Sequence, residues 1–349
     1  MTVQQAKSSV YHAELKKLRP EIVKLGKSVK GQFGVYVKHI ESGAELAIEA
    51  DKIYPLGSVF KVALMAEVYR QAHEGLLSMD EEVELEKRHY CIGSGILQYL
   101  SPGLKLKVRD LLTLMMIAND NTASQMLWKR VGVQSVNMFL RDLGLAKTII
   151  YLPFREEYLM SMGYGPFKDL TIVEAARRWH GLSDIDRMKV MSEVDKEAAN
   201  LSVDDFRRGY QLIYGVKDEK RYLTQRAYDE VFDNQGTPRE IGFLLERIFK
   251  REVVSKKACD EMLDILMVPQ AVSTVPRSLS PDTPVISRAA GDSAGSVNEA
   301  GVIFTSPTSH IVFTCFYKRL EEGWAEKARS VQSSLSKLIH DSFVRLRPR

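Results

Sequence analysis

The stretch Ser58-Val59-Phe60-Lys61 stands where an extended, turn-rich segment gives way to an apolar helical run that continues to Tyr69. Residues three apart lie on one face of a helix, so this spacing predicts the Lys61 amine one turn from the Ser58 hydroxyl. A serine hydroxyl is a weak nucleophile, and an amine that loses its charge in a dry pocket can accept its proton. The pair therefore indicates acyl transfer through an acyl-serine. Taken alone the signal is weak, because a serine cap followed by a solvated lysine has the same pattern.

A second polar motif, Asn119-Asp120-Asn121, follows an apolar helical run and precedes another helix-like segment. The order of the two motifs resembles that of class A β-lactamases and penicillin-binding proteins, which carry Ser-x-x-Lys and then Ser-Asp-Asn. The resemblance covers most of residues 30 to 343, apart from one insertion. Its flanking segments are an alternating hairpin over 33–50, a loop over 93–103, a Thr-Pro helix start at 237–238 and closing strands over 302–318.

The resemblance implies an α/β fold in which an antiparallel sheet flanked by helices, an αβα sandwich, is joined to an all-helical domain. We expect the sandwich domain to comprise residues 1–57 and 250–349, and the helical domain residues 58–249. Helical patterns predict a large helical insertion over 155–235, where this chain has more residues than such relatives need. The insertion starts at the family's active-site loop, so it either covers the pocket or forms a peripheral or oligomerising bundle.

The resemblance also implies roles for single residues. Ser58 would be the nucleophile and Lys61 the base, and Asn121 matches the asparagine that contacts the substrate's acyl side chain. Asn119 replaces the family's serine at a substrate-binding position, and it has no hydroxyl to relay a proton to a leaving nitrogen. Asp120 is expected to brace its own loop and cap the next helix.

The third family motif, Lys-Thr-Gly on an edge strand, is absent as such. Residues 291–301 align without gaps on the stretch that starts at that glycine, which leaves alanines at 289 and 290 in place of the Lys and Thr. In an alternative register, Ser293-Ala294-Gly295 occupies the motif. We favour the first register, because it needs no gap before the next strand.

In the favoured register, substrate-binding positions fall on Arg288, Gly291 and Asp292. The Arg288 guanidinium is a candidate for the vacated carboxylate-binding place. The backbone N–H groups of Ser58 and Asp292 would form the oxyanion hole, a role that depends on the backbone and therefore tolerates a change of side chain.

The deacylating glutamate of class A enzymes follows a Leu-Gly turn similar to Leu143-Gly144, and counting from that turn places Phe154 at its position. Glu156 and Glu157 lie near enough to serve if the loop is longer here. Exposed acidic residues are common in a first helical turn, so we expect a solvated pair. Without a carboxylate beside the ester, breakdown of the acyl-enzyme uses Lys61 or is slow.

These departures predict a serine hydrolase that acts on a small-molecule amide or ester through an acyl-serine, with weak or no ordinary β-lactamase activity. Removing single members of such sites typically costs on the order of a hundredfold or more in rate. A penicillin-binding pseudoenzyme and a biosynthetic acyltransferase that use the same Ser-Lys pair stay open as alternatives.

Composition limits the other possibilities. The 349 residues, 45% of them hydrophobic, suffice for one large domain or two closely packed ones, and a net charge of +4 argues against a nucleic-acid surface. Three scattered cysteines and seven histidines without ligand spacing indicate no disulfide framework, no metal and no cofactor. The sequence shows neither a spanning apolar run nor a signal peptide's apolar core. We therefore expect no membrane insertion and a cytoplasmic location, or an extracytoplasmic one if a leader was trimmed; the oligomeric state is left open.

Overall fold

The structure is a computed structural model that describes residues 3–215, 218–268, 274–289 and 293–346. In chain order the strands are β1 (Gln32–His39), β2 (Glu45–Ile48), β3 (Tyr54–Pro55), β4 (Glu82–Glu84), β5 (Lys105–Lys107), β6 (Gln235–Gly236), β7 (Val285–Ala289), β8 (Val297–Ser306) and β9 (Ser309–Lys318). The α-helices are α1 (Val3–Gly26), α2 (Lys61–His73), α3 (Val108–Ile117), α4 (Asn121–Val131), α5 (Val133–Asp142), α6 (Phe154–Ser161), α7 (Ile172–Gly181), α8 (Asp184–Glu197), α9 (Val203–Tyr214), α10 (Glu219–Phe232), α11 (Pro238–Phe249), α12 (Lys256–Met267) and α13 (Ala325–Arg345). The chain divides into two compact units, residues 1–59 with 236–349 and residues 60–235.

The first unit is built on an antiparallel sheet of strand order β2-β1-β9-β8-β7. Successive side chains of a strand point to opposite faces. Val35 and Val37 of β1 join a buried core that also contains residues of α1 and α13. Tyr36 faces α11, which approaches so closely that a Cβ on Gly242 would lie 2.8 Å from the tyrosine ring. Helices therefore cover both faces of the sheet, and the predicted α/β fold, an antiparallel sheet flanked by helices, is confirmed.

Helix α11 belongs to the first unit, whereas the sequence analysis assigned residues 238–249 to the helical domain. It packs on β1, β8 and β9. Thr314 of β9 donates its hydroxyl to the Pro238 carbonyl at 3.0 Å, and Lys38 of β1 pairs with Glu246 at 2.8 Å. The periodicity of an amphipathic helix shows which face is buried but not what covers it. The chain accordingly returns to the first unit at residue 236 rather than at residue 250.

The second unit is helical and is centred on α2. That helix lacks a continuous polar face, and almost all of its residues are buried, as expected for a helix that neighbours surround. It packs against α3, α4 and α5. Just before its start, the Phe60 ring lies 4.8 Å from the Trp128 ring of α4, measured between centroids. This packing fixes the start of α2 relative to α4.

The helices predicted within residues 155–235 are present as α7, α8, α9 and α10. Each begins at a side-chain cap, in which Thr171, Ser183, Ser202 or Asp218 accepts a backbone N–H from three residues ahead. Together with α6 they enclose a core of their own that contains Trp179 and Phe206. Across the described ranges, the structure has no helix that combines the length and apolar character needed to span a membrane.

Candidate active site

Ser58 lies in a turn that leads directly into α2. Asn298 of β8 donates its Nδ2 to the Pro55 carbonyl at 2.6 Å and so holds the segment before this turn. The glycine at 57 has a φ of 50°, a conformation that glycine adopts at little cost. A 3-10 turn over 57–60 then continues without a break into the helix that begins at Lys61. The Ser58 side chain is buried, with 4% of its surface exposed, and stands three residues ahead of Lys61.

The Lys61 amine is fully buried and is surrounded by oxygen acceptors. Its Nζ donates to the backbone oxygen of Asn119 at 2.8 Å, to Asn119 Oδ1 at 3.0 Å and to Asn121 Oδ1 at 2.9 Å. An ammonium group has three N–H donors and no acceptor, so these three oxygens suit its charged form. They also offset the cost of burying the amine, which would be large without acceptors. Lys61 can take up a proton only after it loses one and turns away from one of these oxygens.

Local backbone geometry explains why Asn119 can contact the amine twice. Its φ is 54°, in the left-handed region that asparagine tolerates better than most residues. Asn121 is the first residue of α4, and its Nδ2 donates to the Ile92 carbonyl at 3.2 Å, which leaves Oδ1 for Lys61. The structure thus brings Lys61, Asn119 and Asn121 together. That Asn119 and Asn121 bind substrate stays a prediction.

Asp120, between these two asparagines, has a structural role that its hydrogen bonds show. Its Oδ1 accepts the Ala123 N–H at 2.9 Å and so caps α4, and its Oδ2 accepts the N–H groups of Ile96 and Leu97 at 2.7 and 2.9 Å. The adjoining loop passes so near that a Cβ on Gly95 would lie 2.3 Å from the carboxylate carbon. The prediction that Asp120 braces its loop and caps the next helix is confirmed.

An aromatic ring stands beside the Lys61 amine. Phe154, the first residue of α6, has its ring centroid 5.9 Å from Lys61 Nζ. The ring is held edge-on against Phe60, at 5.1 Å, and stacked on Tyr158, at 5.9 Å. Counting from the Leu-Gly turn had placed Phe154 at the position of the deacylating glutamate. A phenyl ring at this place can support a buried cation but cannot accept a proton.

The expectation that Glu156 and Glu157 form a solvated pair is wrong, because both side chains are buried. Both carboxylate oxygens of Glu156 accept a hydrogen bond from Gln125 Nε2, at 3.0 and 2.9 Å. The Glu156 carboxylate also pairs with Lys129 at 2.5 Å. Burial raises the pKa of Glu156, and the Lys129 charge opposes that rise. The pair is buried because helices of the insertion pack against α6, which the local sequence does not reveal.

Glu157 has a different environment, made of other carboxyl groups. Burial raises the pKa of Glu157 well above its ordinary range, and the negative charges of Asp233 and Asp229 raise it further. Its Oε2 is a buried oxygen without a hydrogen-bond partner in the described part of the chain. Its backbone oxygen accepts the Tyr228 hydroxyl at 3.2 Å. This environment therefore favours the protonated form of the carboxyl.

Two tyrosines near Asn121 were not found by the sequence analysis. A Cβ built on Gly93 would lie 3.0 Å from Asn121 Nδ2, 3.5 Å from the Tyr210 hydroxyl and 3.9 Å from the Tyr158 hydroxyl. The two tyrosine rings meet edge to face at 5.0 Å, and burial raises the pKa of Tyr210 to about 12. Tyr158 comes four residues after Phe154, so helical spacing would have put both on one face. Tyr210 is on α9, and only tertiary packing brings it there.

The remaining predicted positions belong to the first unit or lie outside the description. Arg288 is in β7, with its backbone opposite Ala300 of β8. Gly291 and Asp292 lie outside the described residues, so their substrate-binding and oxyanion roles stay predictions. Within the ranges that the structure covers, no group of at least three His, Cys, Asp or Glu side chains is arranged to hold a metal ion.

Comparison with known proteins agrees with this arrangement. The model of a family described as "Beta-lactamase enzyme family" matches residues 17–343. The chain belongs to the β-lactamase family. The family resemblance predicted from the motifs is thereby confirmed.

Individual relatives match a smaller share of this β-lactamase-family chain in sequence than in fold. Beta-lactamase L2 of Stenotrophomonas maltophilia is 32% identical over 121 residues, and beta-lactamase SME-1 of Serratia marcescens is 26% identical over 132 residues. These alignments span 34% and 36% of the chain, and 40% and 42% of the two relatives. Among solved structures, a beta-lactamase from Sphaerobacter thermophilus has a TM-score of 0.67 at 18% identity and covers 95% of this chain and 98% of its own. PBP-A has a TM-score of 0.64 at 19% identity, with coverages of 92% and 96%. The structural matches establish a shared fold.

Proposed function

We propose that this protein is a serine hydrolase that acts on an amide or ester through an acyl-serine and has weak or no ordinary β-lactamase activity. One observation carries the proposal: the buried amine of Lys61, held by Asn119 and Asn121, follows Ser58 by three residues at the start of a buried helix. Such a pairing of hydroxyl and sequestered amine is the arrangement that activates a serine without histidine.

In the proposed reaction, Lys61 in its neutral form turns away from one of the Asn119 and Asn121 oxygens and takes the Ser58 proton. Ser58 Oγ forms a bond to the substrate's carbonyl carbon, and the bond to the leaving group then breaks as that group takes the proton from Lys61. Water afterwards cleaves the ester on Ser58 and restores the hydroxyl. Asn121, whose amide is fixed by the Ile92 carbonyl, orients the substrate's acyl part.

Two features argue for weak action on penicillins. Asn119 contributes oxygen acceptors to Lys61 but no hydroxyl that could pass a proton to a leaving nitrogen. Phe154 supplies a phenyl ring beside Lys61 at the counted position of the deacylating carboxylate. Esters and amides whose leaving groups need little protonation are therefore the better substrates, and the acyl-enzyme is long-lived when the acyl group comes from a lactam.

The test compares nitrocefin with an activated aryl ester. We expect ester turnover in the parent protein, a loss of about a hundredfold or more in Ser58→Ala and in Lys61→Met, and no loss in Lys16→Met, a matched lysine exposed on α1. Nitrocefin turnover should stay near background in all four proteins. Nitrocefin hydrolysis at rates normal for class A enzymes, or ester turnover that survives Ser58→Ala, would contradict the proposal.

The phenyl ring beside Lys61 also favours the alternatives in which water attacks slowly, namely a penicillin-binding pseudoenzyme or an acyltransferase. Product analysis in the presence of a primary amine separates them from hydrolysis. Free acid as the main product supports the hydrolase. An amide product identifies acyl transfer, and a permanently acylated protein without product identifies the pseudoenzyme.

A further inference from the structure

The helical unit contains a cavity of about 510 Å³ whose lining is strongly charged. One side is formed by the turn Glu86–Arg88, and the other by the end of α8 and the residues after it. Arg155 of α6 also lines it. We name it the α6–α8 cavity. A volume of this size falls within the range of small-molecule sites in proteins.

The carboxylates that line the α6–α8 cavity already have cationic partners. Glu86 pairs with Arg88 at 2.8 Å, and Asp195 pairs with Lys129 at 2.6 Å. Lys87 and Arg155 are the lining cations that remain. Neither has a carboxylate oxygen within 4.0 Å in the part of the chain that the structure describes. The lining therefore carries an excess of positive charge.

Arg155 is unusual among these residues because its charge is buried, with 5% of the residue exposed. Its Nη1 donates to the Tyr90 carbonyl at 2.7 Å, and its guanidinium lies 4.8 Å from the centre of the Phe206 ring. Its Nε has no hydrogen-bond acceptor among the described residues. A buried guanidinium with a neutral oxygen and an aromatic ring as partners lacks the counter-charge that normally compensates its desolvation.

We propose that the α6–α8 cavity binds a small molecule that carries a carboxylate or phosphate group, with Arg155 as the principal partner of that anion. The planar guanidinium matches the geometry of both groups and binds them through charge-assisted hydrogen bonds. Lys87, which is exposed and lines the cavity, adds a second positive charge. The proposal assigns no role to Ser58, Lys61, Asn119 or Asn121, so it can be tested independently of the proposed hydrolase function.

The test titrates the full chain with inorganic phosphate and with citrate by isothermal calorimetry, at constant ionic strength set with sodium chloride. We expect saturable binding of at least one of the two, weakened about tenfold or more in Arg155→Met. Arg177→Met, which changes an exposed arginine of α7, should bind as the parent does. Binding of phosphate alone assigns the site to phosphate groups, and binding of citrate alone assigns it to carboxylates.

A second variant keeps the test valid if Arg155→Met fails to fold. Ala199 lines the cavity and is exposed, so Ala199→Glu adds a negative charge there without removing any buried contact. It should also weaken binding by about tenfold, from charge repulsion. The proposal is overturned if the folded parent shows no saturable binding of either anion, or if Ala199→Glu binds them as tightly as the parent does.

Discussion

Replacing Phe154 by glutamate should convert a long-lived acyl-enzyme into one that turns over. The phenyl ring stands 5.9 Å from the Lys61 amine, so a carboxylate at this position would lie beside the same amine. From there it can hold and deprotonate a water molecule, a form of general base catalysis typically worth a hundredfold to ten-thousandfold in rate. We expect the lactam-derived acyl-enzyme of Phe154→Glu to decay about a hundredfold faster than that of the parent.

The stability cost of this substitution can be worked from the contacts of the ring. Phe154 forms aromatic pairs with Phe60 and Tyr158, and two such pairs contribute about 1 to 3 kcal/mol beyond simple burial. Attraction between a new carboxylate and the Lys61 charge at this separation is worth about 3 kcal/mol at an effective dielectric constant of about 20. Loss of the burial of the phenyl ring costs about a further 3 kcal/mol or more, so Phe154→Glu should have a clearly lower melting temperature than the parent.

The assay forms the acyl-enzyme with excess penicillin, removes the free compound and follows the decay of the adduct by intact mass. Phe154→Gln is the matched control, because the glutamine side chain has nearly the same shape as that of glutamate and cannot act as a base. A folded Phe154→Glu that loses the acyl group no faster than the parent, or no faster than Phe154→Gln, would contradict the expected general-base role.

Three further predictions concern stability. Asp120→Ala should lower the free energy of unfolding by about 3 kcal/mol in denaturant titration, because three N–H groups, two of them in buried hydrogen bonds, lose their acceptor; an unchanged midpoint would contradict the assigned bracing role. Gly95→Ala should also destabilise the protein, by about 2 kcal/mol or more, since φ there is 102° and the new Cβ would overlap Asp120; a melting temperature equal to the parent's would show that the loop can move aside. Glu157 has a pKa raised by burial and by Asp233 and Asp229, so its stabilising contribution is complete below its ordinary pKa and is lost as pH rises towards the raised value. Melting temperatures measured from about pH 4 to about pH 8 should fall more steeply for the parent than for Glu157→Gln, and parallel curves would argue against a buried protonated carboxyl.

The sequence predicted those parts of the molecule that depend on local spacing. Ser58 and Lys61 are three residues apart, and the structure has them at the start of one continuous helical segment. Asp120 precedes an apolar helix, and its carboxylate caps that helix as the pattern indicates. Such features follow from the repeat of the helix and from the needs of its free N–H groups, both of which are properties of neighbouring residues.

Features that depend on which helices pack against each other could not be predicted from local spacing. Glu156 and Glu157 have the pattern of a solvated first turn, yet helices of the insertion bury them. Tyr210 is more than eighty residues from Asn121 along the chain, and only the packing of α9 brings its hydroxyl near the same glycine. Helix α11 has an apolar stripe that could pack on any apolar surface, so its sequence does not show that it packs on the sheet.

In the proposed function, the Ser58 hydroxyl becomes covalently acylated with the help of Lys61. Intact mass spectrometry after incubation with a panel of lactams and activated esters, followed by peptide mapping, tests it most directly. We expect the parent protein to gain one acyl group on Ser58, Ser58→Ala to gain none, and Lys61→Met to be acylated far more slowly. An adduct of equal yield in Ser58→Ala, or acylation of the parent at another residue, would contradict it.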